Sequence, residues 1–224
     1  MNRRALVLGT ASVAIAVFAG GAAFYSSKAP APAPAPAATP ASAPSNDTLV
    51  RMHSPVMGPV AAPVTIVEFF DPSCEACRAF YPIVKQMMGQ TGSSVRLVLR
   101  YTPLHKGSDE AVRILEAARK QNRFQPVLEA LLEQQPVWAA HGAPDLERAW
   151  QAAASAGLNL DQARKDAVSS SVDGVLAQDM ADVRANNVEQ TPTFFVNGKP
   201  LTEFSPQGLY NLVKAEIDAT KPGS

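Results

Sequence analysis

Two short runs of apolar residues lie near the middle of the chain, and a stretch with helical spacing separates them. The runs VTIVEFF (64–70) and SVRLVLRYTPL (94–104) are rich in β-branched and aromatic residues, which is typical of buried strands. Between them the spacing of apolar positions predicts a helix that begins at Cys74. Its apolar face contains Ala76, Phe80, Val84 and Met87 or Met88. A strand, a helix and a second strand in this order predict a parallel β-α-β unit.

The chain after the second strand is dominated by helical patterns. Residues 107 to about 188 consist almost wholly of amphipathic segments, with breaks where glycine, proline or polar residues interrupt the apolar spacing. Breaks are expected at residues 122–125, Pro136, residues 141–144 and Gly157. The pattern predicts an all-helical subdomain over about residues 105–188.

Strand patterns return close to the C-terminus. In TPTFFVNGKPLTEF (191–204), Asn197-Gly198 between two apolar segments indicates a hairpin. An amphipathic helix is predicted over residues 205–220. Before the first buried strand the pattern over residues 47–63 is weak, and only a short edge strand is expected there.

The first residues of the chain indicate export. Arg3 and Arg4 precede an uncharged apolar run over residues 5–25, which is close to the about 20 residues that a helix needs to cross a bilayer. Positive charges before such a run place the N-terminus in the cytoplasm and the following chain outside. Residues 1–27 are therefore interpreted as a signal peptide or a membrane anchor, and the length of the run favours the anchor. The paired arginines also resemble a twin-arginine signal.

Composition defines the remaining domain organisation. Ala-Pro repeats occupy most of residues 28–46 and predict an extended linker, because alternating prolines form neither helix nor sheet. The chain is 46% hydrophobic, and its globular part, residues 47–224, is long enough for one domain with an insertion. Lys and Arg (20) balance Asp and Glu (20) and are scattered along the chain, which argues against nucleic-acid binding.

The chain has 2 cysteines, Cys74 and Cys77, in a C-x-x-C arrangement. Such a pair is a redox pair, half of a metal site or a static disulfide. A structural zinc site needs four ligands, and His53, His105 and His141 do not have ligand spacing. A disulfide that closes so small a loop adds little stability. The arrangement therefore favours a redox pair that uses no metal and no other cofactor.

The position of Cys74 at a helix start provides a mechanism for its reactivity. Unpaired backbone N–H groups and the positive end of the helix dipole stabilise a thiolate there and lower its pKa. Cys74 is therefore the predicted nucleophile, and Cys77, one turn later, is the shielded thiol that resolves a mixed disulfide. Glu75 and Ala76 lie between them, and we expect the Glu75 charge to limit the lowering of the Cys74 pKa.

Three further positions have both a structural and a functional interpretation. Glu68 either faces solvent through strand alternation or is buried and relays a proton to or from Cys77, and its poor fit to a buried strand favours the relay. Pro192, which follows Thr191, either starts a strand or forms a cis peptide bond, and the residues alone do not decide. For His105 a place in a surface loop is favoured over contact with substrate.

Several motifs together resemble the DsbA-like branch of the thioredoxin superfamily. EFFDPSCEAC, Pro82, the long helical insertion and VEQTPTFFVNGKPL occur in the order and at the spacing of that branch, and the resemblance covers about residues 55–220. It implies an α/β fold, namely a thioredoxin fold with an all-helical subdomain between its β-α-β and β-β-α halves. It also implies the activity of that branch, which consists of exported thiol-disulfide oxidoreductases.

The resemblance further implies a role for individual residues. Cys74 corresponds to the nucleophile, Cys77 to the buried partner and Glu68 to an acidic residue beneath the pair. Pro192 corresponds to a cis-proline that faces the disulfide. The backbone of Thr191, just before it, is then expected to pair with an extended substrate peptide.

Some residues depart from the archetypal oxidase of this branch. Glu75-Ala76 replaces its Pro-His pair, so strong oxidising power does not follow from the resemblance. Thr191 before the proline is closer to the isomerases and reductases. Residues 1–63 are nevertheless too few for the separate dimerisation domain of the periplasmic isomerases, so a monomer is expected.

The sequence therefore predicts a thiol-disulfide oxidoreductase in the periplasm or another extracytoplasmic space. Residues 5–25, if they are not cleaved, anchor it to the inner membrane. Disulfide formation in exported, cysteine-containing proteins is favoured, with a membrane redox partner that reoxidises Cys74 and Cys77. Reduction or isomerisation by the same fold is one alternative. A metal chaperone that uses Cys74 and Cys77 as thiolate ligands is another, and a structural protein with an inert disulfide is a third.

Overall fold

The computed structural model of the protein describes residues 46–140 and 142–221. The expected signal peptide or anchor over residues 1–27, nearly all of the linker, and His141 lie outside the described residues. Within the described part, no helix combines the length and the apolar composition that crossing a membrane requires.

The first half of the described chain contains the predicted β-α-β unit. Its elements are α1 (Asn46–Leu49), β1 (Val56–Met57), β2 (Val64–Phe70), α2 (Glu75–Thr91), a 3-10 turn (Gly92–Ser94) and β3 (Val95–Tyr101). β2 and β3 are parallel, and their register places Glu68 opposite Leu99. The short strand β1 pairs with β3 in the antiparallel direction at the edge of the sheet.

β3 ends at Tyr101, before the predicted boundary at residue 104. Pro103 has no N–H to donate to a neighbouring strand. The backbone N–H of Leu104 donates instead to the Asp71 carboxylate, with a nitrogen–oxygen distance of 2.8 Å. The chain therefore leaves the sheet beside the loop that connects β2 to α2.

A series of helices separates β3 from the rest of the sheet. They are α3 (Ser108–Lys120), α4 (Phe124–Glu133), α5 (Gln135–Trp138), α6 (Leu146–Ser155), α7 (Leu160–Ala167) and α8 (Ser170–Ala185). The break expected at Pro136 falls at Gln134 instead, because proline is tolerated in the first turn of a helix, here α5.

The chain returns to the sheet in a hairpin and ends in a helix. The elements are β4 (Thr193–Val196), β5 (Lys199–Pro200) and α9 (Pro206–Ala219). Asn197 and Gly198 connect the strands with φ angles of 48° and 81°, the left-handed geometry that a tight hairpin requires. β4 is antiparallel to β2, and the sheet order is β1-β3-β2-β4-β5. The predicted α/β fold with a helical insertion is therefore confirmed.

Both faces of the sheet are buried. Ile66 and Phe70 of β2 pack in the main core with α2, α9 and the helical insertion. Val67 and Phe69 face the opposite way, into a smaller core with α1 and α8. Because side chains alternate along a strand, Glu68 lies on the same face as Ile66 and Phe70, toward α2.

The face covered by α1 and α8 contains a buried ion network. The Arg100 guanidinium is fully buried and donates to Asp179 at 2.8 Å and to Asp182 at 2.6 Å. It also donates to the backbone carbonyl groups of Thr48 and Leu49. The network therefore joins α1, β3 and α8 on the face opposite α2.

Candidate active site

Cys74 lies at the N-terminal end of α2 and is its N-cap residue, with extended backbone angles (φ −75°, ψ 121°). Its N–H donates to the Asp71 carbonyl at 3.0 Å, which closes the turn between β2 and α2. Its own carbonyl accepts the first helical hydrogen bond from the N–H of Arg78 at 3.1 Å. Cys74 is 6% exposed and Cys77 is 0% exposed. Of the two sulfurs, only that of Cys74 is accessible to another protein.

Thr191 and Pro192 come to this site from the far end of the helical insertion. Both cysteines are free thiols, and the Cys74 thiol donates to the Thr191 carbonyl oxygen at 3.2 Å. The peptide bond between Thr191 and Pro192 is cis. β4 begins directly after this bond and pairs with β2, which places the Thr191 backbone beside the cysteine pair.

The surroundings of Cys74 favour its thiolate. A hydrogen bond with the Cys77 thiol is the main cause, and burial opposes it. The Thr191 side chain and the backbone N–H groups of Cys77 and Ala76 act in the same direction as that hydrogen bond. Together they lower the pKa of Cys74 from 9.0 to about 5. The direction agrees with the prediction from the helix N-terminus.

The surroundings of Cys77 have the opposite effect. Burial raises the pKa of the Cys77 thiol far above its ordinary value, and the hydrogen bond with Cys74 and the charge of Glu68 act in the same direction. The N–H of Asp71 donates to the Cys77 sulfur at 3.5 Å and partly opposes this shift. At neutral pH the pair therefore consists of a Cys74 thiolate and a Cys77 thiol.

Glu68 is a buried carboxyl group close to the pair, with 1% exposure. Burial, followed by the charge of Cys74, raises the pKa of Glu68 to about 8. Among the described residues its carboxyl oxygens have no hydrogen-bond partner of good geometry, although the Cys77 thiol is near enough to favour the carboxylate. The alternative that Glu68 faces solvent is therefore wrong, because both faces of the sheet are covered.

The two residues between the cysteines differ in their surroundings. Glu75 is exposed in the first turn of α2, and its charge helps to raise the pKa of His105. Ala76 is half-buried against the main core, and its backbone N–H supports the Cys74 thiolate.

Asp71 is a buried residue of the site that sequence reasoning did not identify. Its carboxylate accepts hydrogen bonds from the backbone N–H groups of Ser73, Leu104 and His105 at 2.8, 2.8 and 3.0 Å, and from the Ser108 hydroxyl. These bonds join the turn before Cys74 to the start of the helical insertion. A signal was available in the sequence, since Asp directly after a strand commonly forms a turn with the N–H two residues later.

His105 lies in an exposed loop, as predicted, and its side chain also contacts the loop before Cys74. Its side chain is 43% exposed, but Nδ1 lies 2.7 Å from a carboxylate oxygen of the buried Asp71. The hydrogen bond with Asp71 raises the pKa of His105, burial opposes this, and the charges of Cys74 and Glu75 add to the increase. His105 therefore lies at the rim of the cysteine pair.

Gln135 is the second residue that sequence reasoning missed. It begins α5, its side chain is buried, and its amide donates to the carbonyl groups of Pro72 and Cys74. No sequence pattern indicates such a contact, because it depends on how α5 packs against the loop before α2.

Metal binding by the two thiols needs further ligands, since they supply only half of a tetrahedral site. Across residues 46–140 and 142–221, no group of three or more His, Cys, Asp or Glu side chains is placed to hold an ion.

Comparison with known proteins agrees with the expected thioredoxin superfamily. Residues 51–215 match a thioredoxin family model. A thioredoxin-like oxidoreductase from Silicibacter pomeroyi DSS-3 is 29% identical, with a TM-score of 0.66 over 78% of this chain and 96% of that chain. The chain belongs to the thioredoxin family. Oxidised BdbD from Bacillus subtilis has the same fold, with 24% identity and a TM-score of 0.66 over 74% of this chain and 93% of that chain.

The curated relatives of this thioredoxin-family protein are much longer. The Na(+)/H(+) antiporter NhaA 3 of Salinispora tropica is 35% identical over 147 residues, which are 64% of this chain and 22% of the antiporter. The chain spans about a quarter of the length of the curated relatives it matches. The similarity therefore concerns one part of those antiporters. The thioredoxin family model and the Silicibacter pomeroyi oxidoreductase are consistent with the expected enzyme class, a thiol-disulfide oxidoreductase.

The low pKa of Cys74 leads to a prediction about the stability of the reduced protein. Because the pKa falls from 9.0 on folding to about 5, the thiolate stabilises the folded state most above pH 9, and this contribution disappears as the pH falls through 5. Solvent at the mouth of the site screens part of this stabilisation. We expect the free energy of unfolding of the reduced protein to decrease by about 2 kcal/mol between pH 7 and pH 5 relative to Cys74→Ala.

Urea unfolding of both reduced proteins across this pH range measures the difference. Other titrating groups are common to both proteins and largely cancel. A difference that does not change between pH 9 and pH 5 contradicts a stabilised thiolate at Cys74.

Proposed function

We propose that this protein forms disulfide bonds in exported proteins by oxidising pairs of substrate cysteines. The observation that supports this direction is the opposite shift of the two thiol pKa values, downward at Cys74 and upward at Cys77. A stabilised thiolate favours the reduced pair over its disulfide, so the disulfide accepts electrons readily. A stabilisation of about 2 kcal/mol corresponds to an increase of about 40 mV in the reduction potential of a two-electron couple.

The proposed reaction begins with the Cys74–Cys77 disulfide. A substrate thiolate attacks the Cys74 sulfur, the bond between the two cysteines breaks, and Cys77 leaves as a thiolate that takes up a proton. A second substrate thiolate then attacks the substrate sulfur of the mixed disulfide, and Cys74 leaves as a thiolate. The substrate loses two electrons and gains a disulfide, and the enzyme pair is reduced. The low pKa of Cys74 makes it a good leaving group in this second step.

Glu68 is the proposed proton donor and acceptor for Cys77. The leaving Cys77 thiolate is buried and needs a proton, and Glu68, with a pKa of about 8, holds one at neutral pH. In the reverse direction the Glu68 carboxylate takes the proton that Cys77 loses when it attacks a mixed disulfide at Cys74. A buried carboxyl group without a good hydrogen-bond partner is costly in a strand, and the relay explains its presence there.

Thr191 and Pro192 form the proposed substrate-binding segment. The Thr191 carbonyl is within 3.2 Å of the Cys74 sulfur, so a peptide attached to that sulfur lies beside the Thr191 backbone and can pair with it. An exposed aromatic side chain, Phe204, packs on Phe80 of α2 with ring centroids 5.1 Å apart. Such a surface suits unfolded substrate chains, whose apolar residues are accessible.

The proposed location is the periplasm or another extracytoplasmic space. Arg3, Arg4 and the apolar run over residues 5–25 support export, and a retained run anchors the enzyme to the inner membrane. A membrane redox partner then reoxidises Cys74 and Cys77 after each turnover. The proposed enzyme is a monomer and uses neither a metal ion nor another cofactor.

The reduction potential of the Cys74–Cys77 couple tests the direction of electron flow. We expect equilibration with glutathione buffers to give a value of about −180 mV or higher, the range of disulfide donors. A value near that of thioredoxin, about −270 mV, instead assigns the protein to reduction or isomerisation. A couple that does not equilibrate with glutathione at all contradicts thiol–disulfide exchange.

Replacement of Glu68 by glutamine is expected to slow the resolution of mixed disulfides. The amide has nearly the same shape but does not accept the Cys77 proton, so we expect the rate of Cys77 attack to fall by about tenfold or more. In the wild type this rate should rise as the pH increases through about 8, where Glu68 becomes a carboxylate, and Glu68→Gln should lose that step. The decay of a Cys74–glutathione mixed disulfide, followed by mass spectrometry after acid quenching, measures the rate.

Glu216→Gln is the matched control for this experiment. Glu216 is also buried, but it is paired with Lys199 and hydrogen-bonded to Asn197, at the turn of the β4–β5 hairpin. It should retain the wild-type rate and pH profile. If Glu68→Gln retains them too, Glu68 is not the relay.

A further inference from the structure

Gln135 connects the helical insertion to the backbone around Cys74. Its side-chain nitrogen, Nε2, donates to the carbonyl oxygen of Pro72 at 2.8 Å and to that of Cys74 at 3.0 Å. Its side-chain oxygen, Oε1, accepts from Nε of Arg78 at 2.9 Å. The residue is 2% exposed. Both amide hydrogens and the amide oxygen of Gln135 therefore form hydrogen bonds, with the loop between β2 and α2 (residues 71–74) and with α2.

The two carbonyl groups that Gln135 holds lie on either side of Ser73 in the turn that precedes α2. The Cys74 carbonyl also accepts the first helical hydrogen bond, from the N–H of Arg78. Two donors on this oxygen restrict the rotation of the peptide group that follows Cys74. That peptide group determines how the start of α2 is oriented relative to the Cys74 sulfur.

This orientation matters because the first N–H groups of α2 stabilise the thiolate. The backbone N–H groups of Ala76 and Cys77 both lower the pKa of Cys74. Hydrogen bonds to a charged group weaken steeply when their angle departs from linearity. A small rotation of the Cys74–Glu75 peptide group therefore weakens this stabilisation without unfolding the helix.

The insertion reaches the same loop through a second contact. Asp71, at the beginning of the loop, accepts the backbone N–H groups of Leu104 and His105. That contact fixes the start of the loop, whereas Gln135 acts at its end, on Cys74 itself. Gln135 supplies its donors from a side chain, so its contribution can be removed by substitution.

We propose that Gln135 is a positioning residue through which the helical insertion sets the reactivity of Cys74. The proposal rests on the proposed function, in which Cys74 is the attacking and leaving sulfur. It assigns to the insertion a direct effect on the redox pair, in addition to its packing against the sheet.

Substitution of Gln135 by methionine tests the proposal, because methionine has a similar length and volume but donates no hydrogen bond. We expect the pKa of Cys74 to rise by about one pH unit, which lowers its rate of alkylation at pH values below the pKa about tenfold. The reduction potential should fall in parallel, because the reduced pair loses stabilisation. Thiolate absorbance against pH and equilibration with glutathione measure the two quantities.

Gln134→Met is the matched control. Gln134 precedes Gln135 directly, but its side chain is exposed. It should leave the pKa and the potential at their wild-type values. A purely structural role of Gln135 lowers the unfolding temperature without a change in the pKa of Cys74, and that result overturns the proposal.

Gln135→Asn provides a second test that does not depend on the folding of the methionine variant. It keeps the amide but shortens its reach, so the bonds to Pro72 and Cys74 lengthen or break, and we expect a smaller rise in the Cys74 pKa. A wild-type pKa in this variant also overturns the proposal. If the wild-type protein itself has an ordinary Cys74 pKa and no exchange activity, the proposed function fails. A low wild-type pKa with no change in the variants refutes only the role of Gln135.

Discussion

Replacement of Cys74 by serine is expected to abolish thiol–disulfide exchange. The serine hydroxyl is not a nucleophile at neutral pH and does not form the enzyme disulfide. The remaining thiol, Cys77, is 0% exposed, and burial holds its pKa far above the ordinary value. We expect oxidation of a peptide with two cysteines, followed by mass spectrometry, to proceed no faster than the uncatalysed reaction.

Replacement of Cys77 by serine is the matched control, and its expected result is different. Cys74 remains at the helix start beside the Thr191 carbonyl and still attacks a peptide disulfide. The resulting mixed disulfide has no resolving thiol, because the chain has only 2 cysteines. A covalent complex with one peptide per protein should therefore accumulate and should disappear on addition of a small thiol. A stable complex in Cys74→Ser, formed through Cys77, contradicts the assigned roles.

Replacement of Arg100 by methionine is expected to lower the free energy of unfolding by about 3 to 5 kcal/mol. The substitution leaves Asp179 and Asp182 buried with less compensation for their charge. The carbonyl groups of Thr48 and Leu49 lose a donor at the same time. Removal of one partner from a buried ion network is costly, because the remaining charges are not solvated. Urea unfolding at neutral pH measures the loss.

Arg148→Met is the matched control for Arg100. Arg148 pairs with Asp145, but their side chains are 60% and 50% exposed. Exposed pairs contribute little, so we expect a change within about 0.5 kcal/mol. Equal effects of the two substitutions contradict the interpretation that burial makes the Arg100 network important. Because this network lies on the sheet face opposite α2, the reduction potential of folded Arg100→Met should remain at the wild-type value.

The sequence predicted the parts of this protein that depend on neighbouring residues. Apolar runs rich in β-branched and aromatic residues indicated β2 and β3, and helical apolar spacing between them indicated α2. Asn197-Gly198 indicated the hairpin, since few other residues adopt its left-handed backbone angles. Cys74 was assigned to a helix start from the end of one pattern and the beginning of the next. From that position alone, the direction of its pKa shift followed.

The tertiary structure decided the properties that depend on distant parts of the chain. Glu68 is buried with a raised pKa because α2 and the insertion cover one face of the sheet and α1 and α8 cover the other. In the sequence alone its alternation also fitted a solvent-facing side chain. Thr191 is far from Cys74 in the chain, and the pairing of β4 with β2 brings its carbonyl to the Cys74 sulfur.

The same distinction applies to the residues that sequence reasoning did not identify. Gln135 and Arg100 have no distinctive pattern around them, and for Asp71 the sequence offers only a turn signal. Each is important because packing removes it from water and places specific partners within hydrogen-bond distance. The sequence by itself determined the order of the elements, the redox pair and its place at a helix start. Only the tertiary structure determined which polar groups are buried beside that pair. Burial and long-range hydrogen bonds are the physical quantities that local sequence does not contain.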